Sequence, residues 1–433
     1  MLKVLRVSHS ACLPAHRARD RALAAEGIEL TLALPERWSE LATDSGGSDP
    51  EDDAVELRRM AVRRSGDVNR HRYVDEAALD TLMCDVRPDL LDIHEEPFSV
   101  AARQWIAAAR RHDVPVVLYT AQNIDKRFPP PFAQYERSAL ASVIGVYPCS
   151  RQAASVVRGK GFGGRIEVLP LGYDPGVFSV GDQSLDDDEI LFGLVGRMVP
   201  EKGVVDAVRV LSAVHAVRPA RLVLIGSGPE LERCRRTAAE LGLGERVEVV
   251  PWTDPAGLAD WYRRMHVVLV PSTTTSRWVE QFGRVIVEGQ ASGAVTAGYA
   301  SGSIPEVAGD AGVLVPEGKV DALADAVLSL VTVEDHYRRR QARGLEAARR
   351  MSWRAVAERQ ISFYEKAFAD HMAREHTLPR YSRPGRGTRA SARLEFGPTA
   401  AVFGQERPFA LPVLRSSPVV GGALGRVFDV VNA

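Results

Sequence analysis

The chain alternates between short apolar runs and longer helical stretches, and this alternation constrains its fold more than any other feature. The apolar runs have strand length, and the stretches between them are long enough for a helix. Because parallel strands need a long crossover, usually a helix, the pattern predicts βαβ units. Two successive series of such units predict an α/β protein with two Rossmann-like, doubly wound parallel-sheet domains.

The predicted elements follow from these runs. In the first half we predict helices over 15–25, 100–111 and 151–159, and strands at KVLRVS, ELTLAL, LLDIH, PVVLYT, VIGVYP and RIEVLP. In the second half we predict strands at EILFGLVG, RLVLIGSG, RVEVVP, VVLVPS, AVTAG and GVLV. Apolar runs of this length, bounded by Gly, Pro and polar residues, are typical of buried strands.

Breaks in the pattern predict the domain boundaries. LPLGYDPGVFSVGDQSLDDDEI is rich in Pro, Gly and Asp, so we expect domain 1–172 to end there and domain 173–350 to begin. A long amphipathic helix over 351–370 follows, with Trp353, Val356, Ile361, Phe363, Tyr364 and Phe368 on its apolar side. Residues 371–433 lack periodicity and predict a largely disordered tail, either an unselected extension or a tether to an acidic partner or membrane.

Composition narrows the classes of partner and compartment. The formal net charge of -1 gives no electrostatic reason to expect nucleic acid as a partner. The 4 cysteines are scattered without disulfide or zinc-ribbon spacing, which predicts a cytoplasmic protein and no metal site. The N-terminal apolar run is too short for a signal-peptide core, and no window is long and apolar enough to span a bilayer.

The segment GRMVPEKG presents two cations after a strand. The strand ends at Gly196, and Arg197 and Lys202 follow on a loop that leads into a helix. Guanidinium and ammonium groups beside backbone N–H groups can hold a diphosphate. The alternative is an ordinary exposed loop.

Two further strand ends carry weaker signals. LIGSGPELERC has Leu231 where the third glycine of a G-x-G-x-x-G fingerprint would stand, which weakens a nicotinamide-binding interpretation. In VVPWTDPAGLADWY, Trp252 is a candidate platform for a nucleotide base, whereas Asp254 is equally well explained as a helix cap.

The segment WVEQFGRVIVEGQASG places two carboxylates eight positions apart, and one of them lies in an apolar run. We predict a helix that begins near Phe282 or Gly283, and a helix N-terminus attracts a diphosphate. Glu280 precedes this end, and Glu288 lies about two turns further along the same side. Paired carboxylates bind sugar hydroxyls well.

At these motifs the chain resembles a known family. GRMVPEKG, LIGSGPE, EQFGRVIVEGQASG and GSIPEVAGDAGVLV are similar to the retaining glycosyltransferases of the GT-B fold, family 4 (glycosyl transferases group 1). LDIHEEPFSV, PVVLYTAQNI, GVYPCSRQA and VLPLGYDPGVF resemble that family's N-terminal domain and crossover. MSWRAVAERQISFYEKAF resembles its closing helix, which returns to the first domain. The resemblance spans about residues 1–369.

The resemblance implies roles for the residues of the cationic loop and the helix threshold. Arg197 and Lys202 would hold the donor diphosphate and stabilise the leaving nucleoside diphosphate without a bound metal or other cofactor. Glu280 would contact hydroxyls of the donor sugar, with the backbone amides of Phe282 and Gly283 nearby.

It also implies roles along the helix that follows. Glu288 would bind the ribose hydroxyls of the nucleotide, and Arg284 and Val285 would flank the phosphate. Glu306, in GSIPEVAGD, also matches a family position, although a glutamate there more often caps or orders a loop.

The first half departs from the family at two loops. Where relatives carry a histidine near the reacting carbon, this chain has Gln122 followed by Asn123, and an amide cannot take up a proton at neutral pH. The family's paired glycines after the first strand are also missing, since no glycine precedes Gly27. Glu95 or Glu96 could orient the acceptor or act as a base; the alternative is a solvated loop carboxylate.

Two basic stretches occur in the first half, Arg17, Arg19 and Arg21, and LRRMAVRRSGDVNRHR. We expect a solvated face; the alternative is docking to an anionic membrane surface that carries a lipid-linked acceptor.

The favoured function is metal-independent transfer of a hexose from a nucleotide diphosphate sugar to a hydroxyl acceptor, with retention at the anomeric carbon. The acceptor would be a small molecule, a glycan or a lipid-linked sugar, with possible peripheral contact at the inner membrane surface. Alternatives are a nucleotide-sugar 2-epimerase of the same fold and a catalytically idle protein that binds sugar nucleotides, the latter motivated by Gln122.

Overall fold

Two parallel sheets carry the fold, one in each half of the chain. The computed structural model describes residues 1–38 and 54–377. The compact unit runs from Met1 to His371, and a second unit begins at Met372. Within the described residues, no helix has the length and apolar character needed to cross a membrane.

The first sheet has seven strands in the order β3-β2-β1-β6-β7-β8-β9. Its strands are β1 Lys3–Val7, β2 Glu29–Pro35, β3 Glu56–Met60, β6 Leu90–Ile93, β7 Val116–Thr120, β8 Gly145–Pro148 and β9 Arg165–Ile166, while β4 Val62–Arg63 and β5 Arg72–Tyr73 form a separate hairpin. The helices of this half are α1 Ala18–Ala25, α2 Glu76–Val86, α3 Val100–Arg111, α4 Phe132–Ser142 and α5 Arg151–Gly159.

The second sheet has six strands in the order β12-β11-β10-β13-β14-β15, which is the order of a dinucleotide-binding Rossmann sheet. Its strands are β10 Ile190–Val195, β11 Ala220–Ile225, β12 Val247–Val250, β13 Val267–Val270, β14 Val295–Tyr299 and β15 Val313–Val315. Its helices are α6 Val204–His215, α7 Glu230–Glu240, α8 Pro255–Tyr262, α9 Arg284–Ala291, α10 Ile304–Ala308, α11 Val320–Thr332 and α12 Glu334–Arg349. In both sheets the order reverses beside the first strand, which places ligand sites at the carboxyl ends there.

Helix α13, Trp353–Thr377, packs on the first sheet through a buried polar cluster around Asp92. Gln360 Nε2 and Tyr364 Oη donate to Asp92 Oδ2 at 3.1 and 2.6 Å, and Arg6 Nε donates to the same oxygen at 3.1 Å. Phe363 packs so closely over Gly145 that a Cβ there would lie 2.8 Å from the ring. The helix is therefore held to the first half by hydrogen bonds and by packing.

The chain crosses between its two halves at two adjacent places. Tyr173 lies on the outward crossing, and its backbone N–H donates to Met351 O at 3.1 Å. Trp353 lies on the return, and its N–H donates to Tyr173 O at 3.0 Å. The two crossings thus lie side by side as a short parallel bridge.

The fold class is confirmed, and each of the twelve predicted runs contains a strand, although RIEVLP forms only Arg165–Ile166. Strand β3 and the β4–β5 hairpin were missed. Phe368 was wrongly placed on the apolar side of the last helix, since it is 40% exposed. The domain boundaries remain predictions, and most of the predicted tail, residues 378–433, lies outside the described residues.

The predicted solvated basic face is wrong for Arg17 and Arg19, which are 1% and 2% exposed. Arg17 Nε donates to Ala11 O at 2.8 Å, and the guanidinium of Arg19 lies 5.2 Å from the Trp353 ring centroid. In the later stretch the prediction holds for Arg58, Arg59, Arg63, Arg64 and Arg72, which are exposed, but it is wrong for His71, which is 0% exposed.

Candidate active site

The loops after β7 and β13 connect the two sheets directly. Asn123 Nδ2 donates to the backbone oxygen of Glu280 at 2.9 Å, and Gln281 Nε2 donates to Ala121 O at 3.1 Å. The segments YTAQNI and VEQFG, singled out separately in the sequence, therefore lie against each other. This contact brings the first half to the glutamate predicted to bind the donor sugar.

Lys202 and Glu280 form a nearly buried ion pair. Lys202 Nζ lies 2.7 Å from Glu280 Oε2, and the two side chains are 11% and 9% exposed. Ser272 Oγ donates to the same oxygen at 3.2 Å, and the ammonium lies 5.3 Å from the Trp278 ring centroid. Lys202 was predicted to bind the donor diphosphate and Glu280 the donor sugar, but in this structure the two residues bind each other.

Two guanidinium groups, one on the loop after β10 and one at the start of α9, have unused donors. Arg197 Nε and Arg284 Nε are buried and have no hydrogen-bond partner among the described residues. Because buried donors are nearly always satisfied, these two are available to an anion, with which a guanidinium forms strong hydrogen bonds.

Helix α9 presents an uncapped N-terminus at the same place. Its N-cap is Gly283, with φ 82°, and no side chain caps the first turn. The helix begins at Arg284, one residue after the predicted threshold, so Phe282 is a buried residue before it and Val285 lies in its first turn. Free N–H groups and the helix dipole favour an anion here.

Glu288 is 4% exposed, and side chains of the same domain offset the cost of its burial. Arg284 Nη2 lies 2.9 Å from Oε1, and Tyr262 Oη donates to Oε2 at 3.2 Å. Each carboxylate oxygen can accept more than one hydrogen bond, so the carboxylate can still receive a ribose hydroxyl. Tyr262 was not predicted, because nothing in the letters ADWY separates it from core residues.

The segment after β12 resolves one of the alternatives left open. Asp254 Oδ1 accepts from Gly257 N at 2.8 Å and caps α8, so its role as a helix cap is confirmed. Trp252 is 65% exposed, and its role as a base platform remains a prediction. Gly196, with φ 134°, follows β10 in a conformation that favours glycine.

Glu95 and Glu96 are 1% and 4% exposed, so the alternative of solvated loop carboxylates is wrong. Glu96 accepts from Thr120 Oγ1 at 2.6 Å and from Ala121 N at 2.8 Å, and burial raises its pKa to about 7. Gln122 Nε2 donates to Ile124 O at 2.7 Å. Glu96 therefore ties the end of β6 to the end of β7, and Gln122 orders the loop that follows β7.

Two contacts show further how the halves face each other. Glu306 Oε2 accepts from Arg151 N at 2.8 Å, so this glutamate orders the start of α5 from across the cleft. Burial, together with the charge of Arg284, lowers the pKa of His16 to about 4. His16 belongs to the loop that replaces the family's paired glycines, and this loop therefore lies within electrostatic range of the N-terminus of α9.

The fold and these cleft contacts define the class of the protein as GT-B. Sucrose-phosphate synthase from Thermosynechococcus elongatus is similar in structure with a TM-score of 0.65 at 19% identity, over 86% of this chain and 100% of that one. HepE from Anabaena in complex with UDP is similar with a TM-score of 0.66 at 14% identity, over 84% of this chain and 100% of that one. At such identities these similarities show the fold.

Two family models match the sequence. The model of the glycosyl transferase 4-like domain matches residues 21–172, and the model of the glycosyl transferases group 1 matches residues 179–347. Both halves of the chain are therefore similar to glycosyltransferases, and the second half is similar to those of group 1.

Curated relatives match part of the chain. A D-inositol 3-phosphate glycosyltransferase from Segniliparus rotundus is 32% identical over 217 residues, 47% of each chain. One from Mycobacteroides abscessus is 33% identical over 224 residues, 48% of each. The chain thus spans about half the length of the curated relatives it matches.

Proposed function

We propose that the protein transfers a hexose from a nucleotide diphosphate sugar to a hydroxyl acceptor, with retention at the anomeric carbon. The observation that carries this proposal is the set of donors around the N-terminus of α9. Arg197 and Arg284 have unsatisfied buried Nε groups, and Gly283 leaves the helix end uncapped. A diphosphate carries enough charge and enough oxygens to satisfy all of these donors.

In the proposed mechanism the donor replaces the contact between Lys202 and Glu280. The ammonium turns to the diphosphate, and the carboxylate accepts hydroxyls of the sugar. The bond from the anomeric carbon to the phosphate oxygen breaks while the bond to the acceptor oxygen forms on the same face. Arg197 and Lys202 stabilise the charge on the leaving diphosphate, so this step needs no metal at the phosphates.

The acceptor proton passes to the leaving phosphate oxygen. This route fits the residue at position 122, because the Gln122 amide cannot take up a proton and donates to Ile124 O. The acceptor would be a small molecule, a glycan or a lipid-linked sugar. The curated relatives are named for inositol 3-phosphate, so we choose this compound as the first acceptor to test.

The test is a two-stage measurement on the purified chain. Thermal unfolding with UDP, GDP and ADP and their sugars identifies the donor, because a ligand that binds only the folded state raises the melting temperature. NMR of the stabilising donor with an acceptor panel then reports transfer and the configuration of the product. An inverted product overturns retention, and a new epimer formed without acceptor favours the 2-epimerase.

The second candidate function is binding of a sugar nucleotide without turnover. The observation that favours it is Gln122, which occupies the position of the family's histidine and is engaged with its own loop. Stabilisation by a donor with no product across the whole acceptor panel would support this candidate over transfer.

A further inference from the structure

Three buried side chains, from separate segments of the first half of the chain, lie close together. His9 follows β1, His71 precedes β5 and Glu95 follows β6. One nitrogen or oxygen atom from each lies within 4.8 Å of the other two, and the residues are 5%, 0% and 1% exposed. We call these three residues the His-Glu cluster. It lies in the first half of the chain, whereas the predicted donor-binding residues lie in the second half.

The carboxylate of the cluster is fixed by the first loop. Glu95 Oε1 accepts from His9 N at 2.7 Å, and Oε2 lies 2.6 Å from His9 Nδ1. His9 therefore contacts both oxygens of this carboxylate, one through its backbone and one through its ring.

His71 turns an unused nitrogen toward this carboxylate. Its Nδ1 lies 3.2 Å from both Asp67 O and Val68 O, and carbonyl oxygens only accept, so Nδ1 carries the proton. The lone pair is then on Nε2, which has no hydrogen-bond partner among the described residues and lies 3.9 Å from Glu95 Oε1. An imidazole whose other nitrogen is held by carbonyl groups is oriented as metal-binding histidines are.

The surroundings enclose the cluster on its aromatic side. The Trp38 ring lies 4.7 Å from the His9 ring and 4.9 Å from the His71 ring, centroid to centroid. The Tyr73 hydroxyl is also buried and has no partner in the parts of the chain that the structure describes. A buried ring nitrogen without a partner, such as His71 Nε2, calls for an occupant with polar character.

We propose that His9, His71 and Glu95 bind one divalent ion of the zinc type, with a fourth position open to water. Two imidazoles and a carboxylate form a ligand set that zinc accepts, at bond lengths of about 2.0–2.2 Å. Tetrahedral ligands at such lengths stand roughly 3.3 Å apart. For an ion to bind, the 3.9 Å distance from His71 Nε2 to Glu95 Oε1 must shorten slightly and the 2.6 Å distance from His9 Nδ1 to Glu95 Oε2 must lengthen.

The ion would tie together three segments that are distant in sequence: the first loop, the turn at 67–71 and the end of β6. It takes no part in the proposed release of the diphosphate, which uses Arg197 and Lys202 of the other half. The metal site therefore does not rest on the proposed function, and either could fail alone.

The experiment titrates the full chain, stripped with chelator, with Co²⁺ and then displaces it with Zn²⁺. We expect one equivalent to bind, with the visible absorption of tetrahedral cobalt. Replacement of ligands by Glu95→Gln and His71→Gln should each weaken binding by at least roughly 10-fold, the loss known for lesser changes around metal sites. The control is His112→Ala, which removes a half-buried histidine 3.0 Å from Asp80, outside the cluster, and should leave binding unchanged.

Zinc-edge X-ray absorption of the loaded wild-type protein gives a second measurement that needs no variant. Two imidazoles among the zinc ligands are expected. The proposal is overturned if the wild type binds no stoichiometric ion, if Glu95→Gln and His71→Gln bind as the wild type does, if binding disappears only in His112→Ala, or if the absorption spectrum shows no imidazole. A buried water would then be the partner of His71 Nε2.

Discussion

Lys202 and Glu280, which were predicted to bind a ligand, form an ion pair with each other. Both groups are almost fully enclosed, so neither can lose its partner without leaving a buried charge. In the proposed function, a donor with a diphosphate and a sugar would offer each of them a new partner at the same time. The pair would then keep the site charged and oriented until the donor binds.

The first prediction concerns this pair. Lys202→Met should lower the free energy of unfolding by about 3 kcal/mol, because the Glu280 carboxylate remains buried with only Ser272 as a partner. The double variant Lys202→Met, Glu280→Gln should regain most of the loss. Both should lose stabilisation by the nucleoside diphosphate. Urea unfolding and calorimetry measure these quantities.

The matched control is Arg209→Ala, which breaks the exposed pair with Asp206 on α6, where the arginine side chain is 53% exposed. It should cost less than about 1 kcal/mol and leave nucleotide binding intact. Equal losses in Arg209→Ala and Lys202→Met would contradict our account of the buried pair.

The second prediction concerns the pH dependence of stability through Glu96. Its folded-state pKa is raised from 4.5 to about 7, so the folded state holds the proton more tightly than the unfolded state does. Stability from this group is present below pH 4.5 and is lost as pH rises toward 7, by roughly 3 kcal/mol. Glu96→Gln should remove this loss.

Urea unfolding at several pH values between 4.5 and 8 measures the effect as the difference between the wild type and Glu96→Gln. Glu365→Gln on α13, where the glutamate is exposed, controls for removal of a negative charge. Parallel stability curves for the wild type and Glu96→Gln would refute the assignment.

At the scale of elements, the third prediction concerns the loops after β7 and β13, which contact each other between the two halves. Asn123 touches the backbone of Glu280 and not its carboxylate, so it acts as a positioning residue. Asn123→Ala should lower kcat of the proposed transfer by about 10-fold, because the glutamate loses its support. The KM for the donor should change little, since Arg197 and α9 remain.

Gln341→Ala is the matched control, because Gln341 Nε2 also donates to a backbone oxygen, Gly293 O at 2.9 Å, but within the second half. Steady-state kinetics with the donor identified by thermal unfolding compare the two. An Asn123→Ala enzyme with wild-type kcat would exclude the positioning role.

Sequence predicted the elements that are buried on both faces, and it failed where burial is partial. The strands around β10 and β13 are continuous apolar runs because helices cover both faces of a parallel sheet. Strand β3, ELRRM, is at the edge of its sheet and mostly exposed, so its letters indicate a charged loop. Edge strands are often charged, which hides them from a search for apolar runs.

The site was predictable in part for a similar reason. Arg197, Glu280 and the start of α9 lie at strand ends, and strand ends of one parallel sheet meet at one edge. The pairing of Lys202 with Glu280 depends on rotamers, which residue types do not specify. In the His-Glu cluster, His9 is 86 positions from Glu95 and 62 positions from His71 along the chain. No local sequence pattern could therefore reveal the cluster.

At the scale of the whole molecule, α13 provides the fourth prediction. Tyr364→Phe removes a 2.6 Å hydrogen bond to Asp92. The loss should lower the free energy of unfolding by about 2 kcal/mol, because a buried hydrogen bond to a charged group is broken. Hydrogen exchange should show faster exchange along α13, while binding of the nucleoside diphosphate persists.

Tyr135→Phe on α4, where the tyrosine is partly buried beside Arg103, serves as the control for loss of a hydroxyl. Unchanged exchange along α13 in Tyr364→Phe would show that packing of Phe363 alone holds the helix.

The adjacent crossings at Tyr173 and Trp353 have a consequence for how the two halves are joined. These two crossings are covalent links between the halves, and they lie side by side. Because both links cross at one place, they tether the two halves there and leave the rest of the interface to noncovalent contacts. The loops at YTAQNI and VEQFG are thus held near each other by these links as well as by their own hydrogen bonds.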